Sequence, residues 1–164
     1  MLSKKMEDAM NKQVNAEFYS SFLYLSMSAD FESKNFLGFA KWMKIQAEEE
    51  YTHAMKFYNH IIERGGKVKL AAIDAPEAEW DKASKAFGQA YEHEQKVTAM
   101  INKLMDIAES EKDYASRSFL NWFVDEQVEE EANASQIVET LKLIGDNTNG
   151  LFALDHRLGK RKED

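Results

Sequence analysis

The sequence predicts an all-α protein: a four-helix bundle with a long crossover between its second and third helices, and a short fifth helix at the C-terminus. Three observations carry this expectation. Apolar residues recur at a 3.6-residue period over four long segments. Helix breakers are scarce, with one proline and seven glycines in 164 residues. Two of the three links between the long segments are only a few residues, whereas the middle one is long, and short links make antiparallel neighbours.

The first helix is expected over about Ser3 to Glu32, with Met10, Val14, Tyr24 and Phe31 on its inward face. The second begins near Asn35, read as its N-cap, and stops at Gly65-Gly66. The third starts near Asp81 and runs to about Glu109 through Phe87, Val97, Ile101 and Leu104. The fourth is capped by Asp113 and ends around Gly145. A fifth, about Thr148 to Arg161, carries Leu151, Leu154 and Leu158. Being too short to join the bundle along its length, it reads as an appendage for packing against other subunits. The link from Lys67 to Trp80 contains Pro76. Helices of this length span ~42 Å, and fourteen extended residues reach ~46 Å, so the link can cross the whole bundle; a compact link turning back at the same end is the alternative.

The length fits one domain over residues 1–164, with the bundle at about 3–145 and the fifth helix at about 148–161. A formal net charge of −8 argues against a nucleic-acid partner held by phosphate contacts. There is no cysteine, which excludes thiolate metal sites and disulfides and is compatible with the cytoplasm. No signal peptide and no membrane-spanning run is expected, because the apolar stretch from Phe18 to Phe31 is too short and interrupted by serines.

Four inward stripes carry acid where a core should continue. Glu17, Glu50, Glu94 and Glu130 each interrupt the apolar face of a different long helix. Counted from the hairpin turns, all four lie near mid-helix, within about two turns of a common level. Four buried carboxylates as bare charges cost several kcal/mol each in lost hydration, and their mutual repulsion raises their pKa values. A bound cation removes that cost. His53 follows Glu50 at i+3, and Gln127 precedes Glu130 by the same interval, so each pair projects from one helical face. Carboxylates with an imidazole and no sulfur suit Fe(II), Mn(II) or Zn(II), and one Glu from each of two helices plus Glu-x-x-His on a third is close to the di-iron carboxylate pattern. Tyr24 lies on the same face as Glu17 and is read as core or, beside a redox metal, as a donor of a hydrogen bond or an electron. His93 points away from Glu94 and is expected at the surface, and His60 and His156 match no carboxylate pattern. The methionines and the three tryptophans read as packing.

The segments "NAEFYSSFLYLSMS", "GFAKWMKIQAEEEYTHAMKFY", "AYEHEQKVT" and "FLNWFVDEQVEEE", together with the long crossover, resemble bacterial non-haem ferritins over essentially the whole chain. The resemblance implies a homo-oligomeric shell of twenty-four subunits that oxidises Fe(II) with O2 or H2O2 and stores ferric mineral. It implies a di-iron centre in which Glu17, Glu50 and His53 hold one iron. Glu50 bridges to a second held with Glu94 and Glu130, near Gln127. Tyr24 matches the family's tyrosine beside the centre, and it or Gln127 orients the oxidant. Glu49, Glu126 and Glu129, with Glu130, match a third iron site of prokaryotic members. The haem-ligating position of bacterioferritins falls on Tyr51, so no haem is expected, and their second Glu-x-x-His reads Gln127-x-x-Glu130. Arg117 and Leu120 stand where animal ferritins place an acidic pair in the three-fold channel, which points to a different pore. A small di-iron oxidase or peroxidase without storage, and a bundle with merely solvated acid, are the rival readings.

Overall fold

A computed structural model describes residues 1–162 of the chain. Its elements are α1 (Lys4–Ser33), α2 (Leu37–Glu63), α3 (Ala83–Ser110), α4 (Tyr114–Ile144) and α5 (Thr148–Leu158), with no strand among the described residues. None of these helices is long and apolar enough to cross a membrane.

The crossover runs the length of the bundle along α1. Near its start Asn11 donates to the Lys67 carbonyl at 3.0 Å and accepts from the Lys69 amide at 2.6 Å. Further on, Asn15 donates to the Ala72 carbonyl, Ser26 to the Glu77 carbonyl, and Asp30 accepts from the Trp80 amide. A row of short polar side chains on α1 thus satisfies an extended strap that has no secondary structure of its own. Because the strap returns the chain to the far end, α3 runs parallel to α2, while α1 and α2, and α3 and α4, form antiparallel hairpins.

Helix ends follow local chemistry in some places and distant packing in others. Ser3 accepts from the Met6 amide, Asp113 from the Ser116 amide and Asn147 from the Gly150 amide. Two expected starts are corrected. Asn35 is not the cap of α2 but a turn residue at φ 62°. Phe36 occupies the cap position without a side-chain bond, packing its ring on Phe39 and Phe152. The first-turn amide of Phe39 is satisfied by Asp155 of α5 at 2.8 Å, a carboxylate at the positive end of the helix. Likewise α3 starts at Ala83 after Lys82, two residues beyond Asp81. The fifth helix stops at Leu158, short of Arg161, and it lies on its own chain: Gly38 of α2 and the Asp155 carbonyl come so close that a Cβ on Gly38 would sit 1.8 Å from that oxygen.

The core is split in two. One cluster gathers Met27, Phe31, Phe39, Met43, Phe87 and Leu141 at the end where α1 turns into α2. The other gathers Met6, Met10, Phe57, Ile101, Leu120 and Phe123 at the opposite end. Between them lies a layer of buried polar residues: Gln13, Glu17, Gln46, Glu50, His53, Glu94, Gln127 and Glu130.

Candidate metal centre

Each long helix delivers one carboxylate to that layer, and all four are buried: Glu17 and Glu94 are 1% exposed, Glu50 2% and Glu130 6%. Glu17, Glu50 and His53 place one donor atom each within 4.8 Å of one another, and so do Glu50, Glu94 and Glu130. Glu50 belongs to both groups, so the arrangement is two adjacent three-donor sets with a shared carboxylate. His53 Nδ1 stands 3.3 Å from Glu50 Oε2, as their i, i+3 spacing dictates.

The surrounding hydrogen bonds come mainly from carboxamides. Gln13 donates to Glu17 at 2.7 Å, one turn away on α1. Gln46 donates to Glu50 at 3.1 Å and, across the bundle, to Glu130 at 2.7 Å. Gln127 donates to both the carbonyl and a carboxylate oxygen of Glu94 at 3.2 Å. The Tyr24 hydroxyl donates to the other Glu94 oxygen. Among the described residues, no lysine or arginine forms an ion pair with these four carboxylates. Glu17 Oε2 is buried and accepts no hydrogen bond from a donor group of Lys, Arg, Gln or backbone among the described residues.

The electrostatic consequence is large. Burial raises the Glu17 carboxyl well above the usual carboxylate range, and the charge of Glu50 adds to it. Burial and then the Glu94 charge do the same to Glu50. Glu94 is raised by burial, against the bonds from Tyr24 and Gln127. Glu130 is pushed up to about 9 by burial and by Glu50 and Glu94. Burial, followed by the Glu94 and Glu50 charges, raises the Tyr24 phenol, which keeps it a hydrogen-bond donor. Bound divalent ions would offset this: they would bring positive charge into the layer and offer the buried Glu17 oxygen a partner.

Glu49, Glu126 and Glu129 lie outside both donor sets. Glu126 Oε1 is 3.8 Å from His53 Nε2, on the other side of the imidazole from Glu50. Glu129 is exposed. Glu49 is held at 2.5 Å by Arg161, in the tail that follows α5. A pocket bounded by Glu49, Thr52, His53, Lys56, Trp122 and Glu126 opens from this side toward His53.

His93 is corrected from surface to half-buried. Its Nε2 lies 2.7 Å from the Ser20 hydroxyl, its ring meets Tyr19 and Tyr24, and burial lowers its pKa to about 4. His60 stacks on Phe119 at 4.0 Å. Three polar residues around the centre escaped the sequence reading as participants: Gln13, Gln46 and Arg161. The i, i+4 spacings Gln13–Glu17 and Gln46–Glu50 were the signal for the first two. Arg161 gave none, because its position depends on how α5 docks.

The fold is a four-helix bundle whose buried carboxylates and His53 form two adjoining groups that could hold metal ions. Residues 7–144 match the ferritin-like domain family. The chain is 47% identical over 161 residues to a bacterial non-heme ferritin of Bacteroides fragilis (strain 638R), covering 98% of this chain and all of that one. It is 40% identical over 164 residues to a bacterial non-heme ferritin of Staphylococcus aureus (strain MRSA252), covering 100% and 99%. Among solved structures, an open-pore ferritin of the hyperthermophilic archaeon Archaeoglobus fulgidus superposes with a TM-score of 0.97 at 49% identity, over 99% of this chain and 100% of that one. The chain belongs to the ferritin family.

Proposed function

We propose that this ferritin binds two Fe(II) ions per subunit in the polar layer, oxidises them there, and passes Fe(III) to a mineral store inside a multi-subunit shell. The observation that carries the reading is the shared Glu50, which links two buried three-donor sets. Glu17, Glu50 and His53 hold one ion, and Glu50, Glu94 and Glu130 the other. Iron is substrate and cargo here. Each Fe(II) gives up one electron. The pair reduces O2, with two protons, to H2O2, or reduces H2O2, with two protons, to two waters. Carboxylate charge favours Fe(III) over Fe(II), which lowers the energy of the oxidised product state.

Tyr24 and Gln127 act on the second set. Both donate to Glu94, so they fix its orientation, and either could orient an oxidant beside the second set. Glu126 and Glu129, with Glu49 and Glu130, form a third station for iron leaving or entering the centre. A cytoplasmic setting, where Fe(II) is available, suits the chain.

Iron loading separates this reading from a small di-iron oxidase. Purified protein incubated with Fe(II) and air is expected to elute as a large particle and to show dense cores in electron micrographs. Rapid oxidation by a monomer or dimer, without cores, supports the oxidase instead.

A further inference from the structure

The tail beyond α5 folds back onto α2, and Arg161 there makes four contacts that converge on the edge of the polar layer. Nη2 lies 2.5 Å from Glu49 Oε2. Nη1 donates to Gln46 Oε1 at 2.9 Å and more weakly to the Trp42 carbonyl at 3.4 Å. The guanidinium also covers the Trp42 ring at 4.7 Å. Both members of the ion pair are largely sheltered, with side chains 21% and 25% exposed.

Two chemical consequences follow. Arginine only donates hydrogen bonds, so the Gln46 carboxamide must turn its oxygen to Arg161. Its NH2 group is thereby aimed at Glu50 and Glu130, to both of which it donates. Arg161 also places a fixed positive charge on the Glu49 carboxylate, where a metal ion using that ligand would otherwise put its own.

We propose that Arg161 is a tethered cation that competes with a metal ion for Glu49 and, through Gln46, orients the α2 edge of the centre. It is a positioning residue: it acts through Gln46 and Glu49 and touches neither of the two donor sets. An ion that uses Glu49 competes with the guanidinium for Oε2 and meets its fixed positive charge, so the tail lowers retention at that outer station and favours onward movement of iron. This rests on the two-ion reading given above.

Equilibrium titration of the assembled, iron-free protein with Zn(II), which cannot be oxidised, tests it without turnover. The parent is expected to bind two ions per subunit tightly and a further ion weakly. In Arg161→Gln the weak class tightens about two- to fivefold, the scale of a single ion pair removed from competition. Arg161→Lys, which keeps the charge, stays near the parent. In the double variant Glu49→Gln with Arg161→Gln the gain disappears. A chain truncated after Lys160 provides the same comparison if Arg161→Gln assembles poorly. Unchanged or weaker binding of the outer ion in both tail variants overturns the proposal. A gain that survives in the double variant also overturns it. Loss of the two tight ions in the parent itself identifies failure of the two-ion reading instead.

Discussion

Gln46 on α2 donates to Glu130 on α4 at 2.7 Å, tying together two helices at the level where the apolar core is interrupted. The same NH2 group reaches Glu50. One carboxamide therefore serves two buried carboxylates from two helices. Gln46→Leu removes both bonds, along with the one Gln46 accepts from Arg161, and leaves two buried acceptors unpaired. The iron-free protein is expected to lose about 1–3 kcal/mol of stability in chemical denaturation, and saturating Zn(II) to recover most of it, since the ions then supply the missing partners.

Tyr24 and Glu94 make a second such link, between α1 and α3. Tyr24→Phe keeps the ring in the core and removes the hydroxyl. Two-ion binding is expected to persist, while the rate of oxidation falls several-fold because Glu94 loses one of its fixed donors. Stopped-flow absorbance after anaerobic loading measures this. An unchanged rate removes Tyr24 from the account of the chemistry.

Docking of α5 depends on Gly38. A methyl group there meets the Asp155 carbonyl oxygen, which belongs to backbone and cannot rotate away. It also disturbs the carboxylate that caps the first turn of α2. Gly38→Ala is expected to cost about 1–3 kcal/mol as an overpacked contact and to speed hydrogen exchange of the α5 amides. Equal stability of variant and parent contradicts the close approach.

Asp113 ties the α3–α4 turn to the end of α2. Burial works against its charge, but bonds from the Ser116 hydroxyl and amide and from Arg64 outweigh it and lower its pKa below the ordinary 3.8. A carboxyl lowered on folding contributes stability that is present above its unfolded pKa and lost as pH falls through the folded one. Asp113→Ala is therefore expected to cost about 1 kcal/mol at neutral pH, with the gap to the parent closing as pH drops below 3.8. A gap independent of pH places the effect elsewhere.

Periodicity made the bundle and the acid layer legible. Glu17, Glu50, Glu94 and Glu130 stood out because each broke an apolar stripe, and hairpin geometry put them at one height. Segment lengths alone left the direction of the crossover open. The hydrogen bonds of Asn11, Asn15 and Asp30 to the strap decide it, and such bonds leave no pattern in sequence. His93 was misplaced because angular position on one helix says nothing about what the neighbouring helix covers; Ser20 and Tyr19 of α1 shelter it. The cap of α2 was missed for the same reason, as Asp155 arrives from a distant element.

The central claim is that Glu50 joins two iron-binding sets. Anaerobic titration of Glu50→Ala with Fe(II), followed by mixing with O2, tests it most directly. The account predicts that the parent binds two ions per subunit and oxidises them rapidly. The variant, with both sets reduced to two protein donors, binds them weakly and oxidises at least tenfold more slowly, a barrier increase of about 1.4 kcal/mol or more. Two tightly bound ions and an unchanged oxidation rate in Glu50→Ala would contradict it.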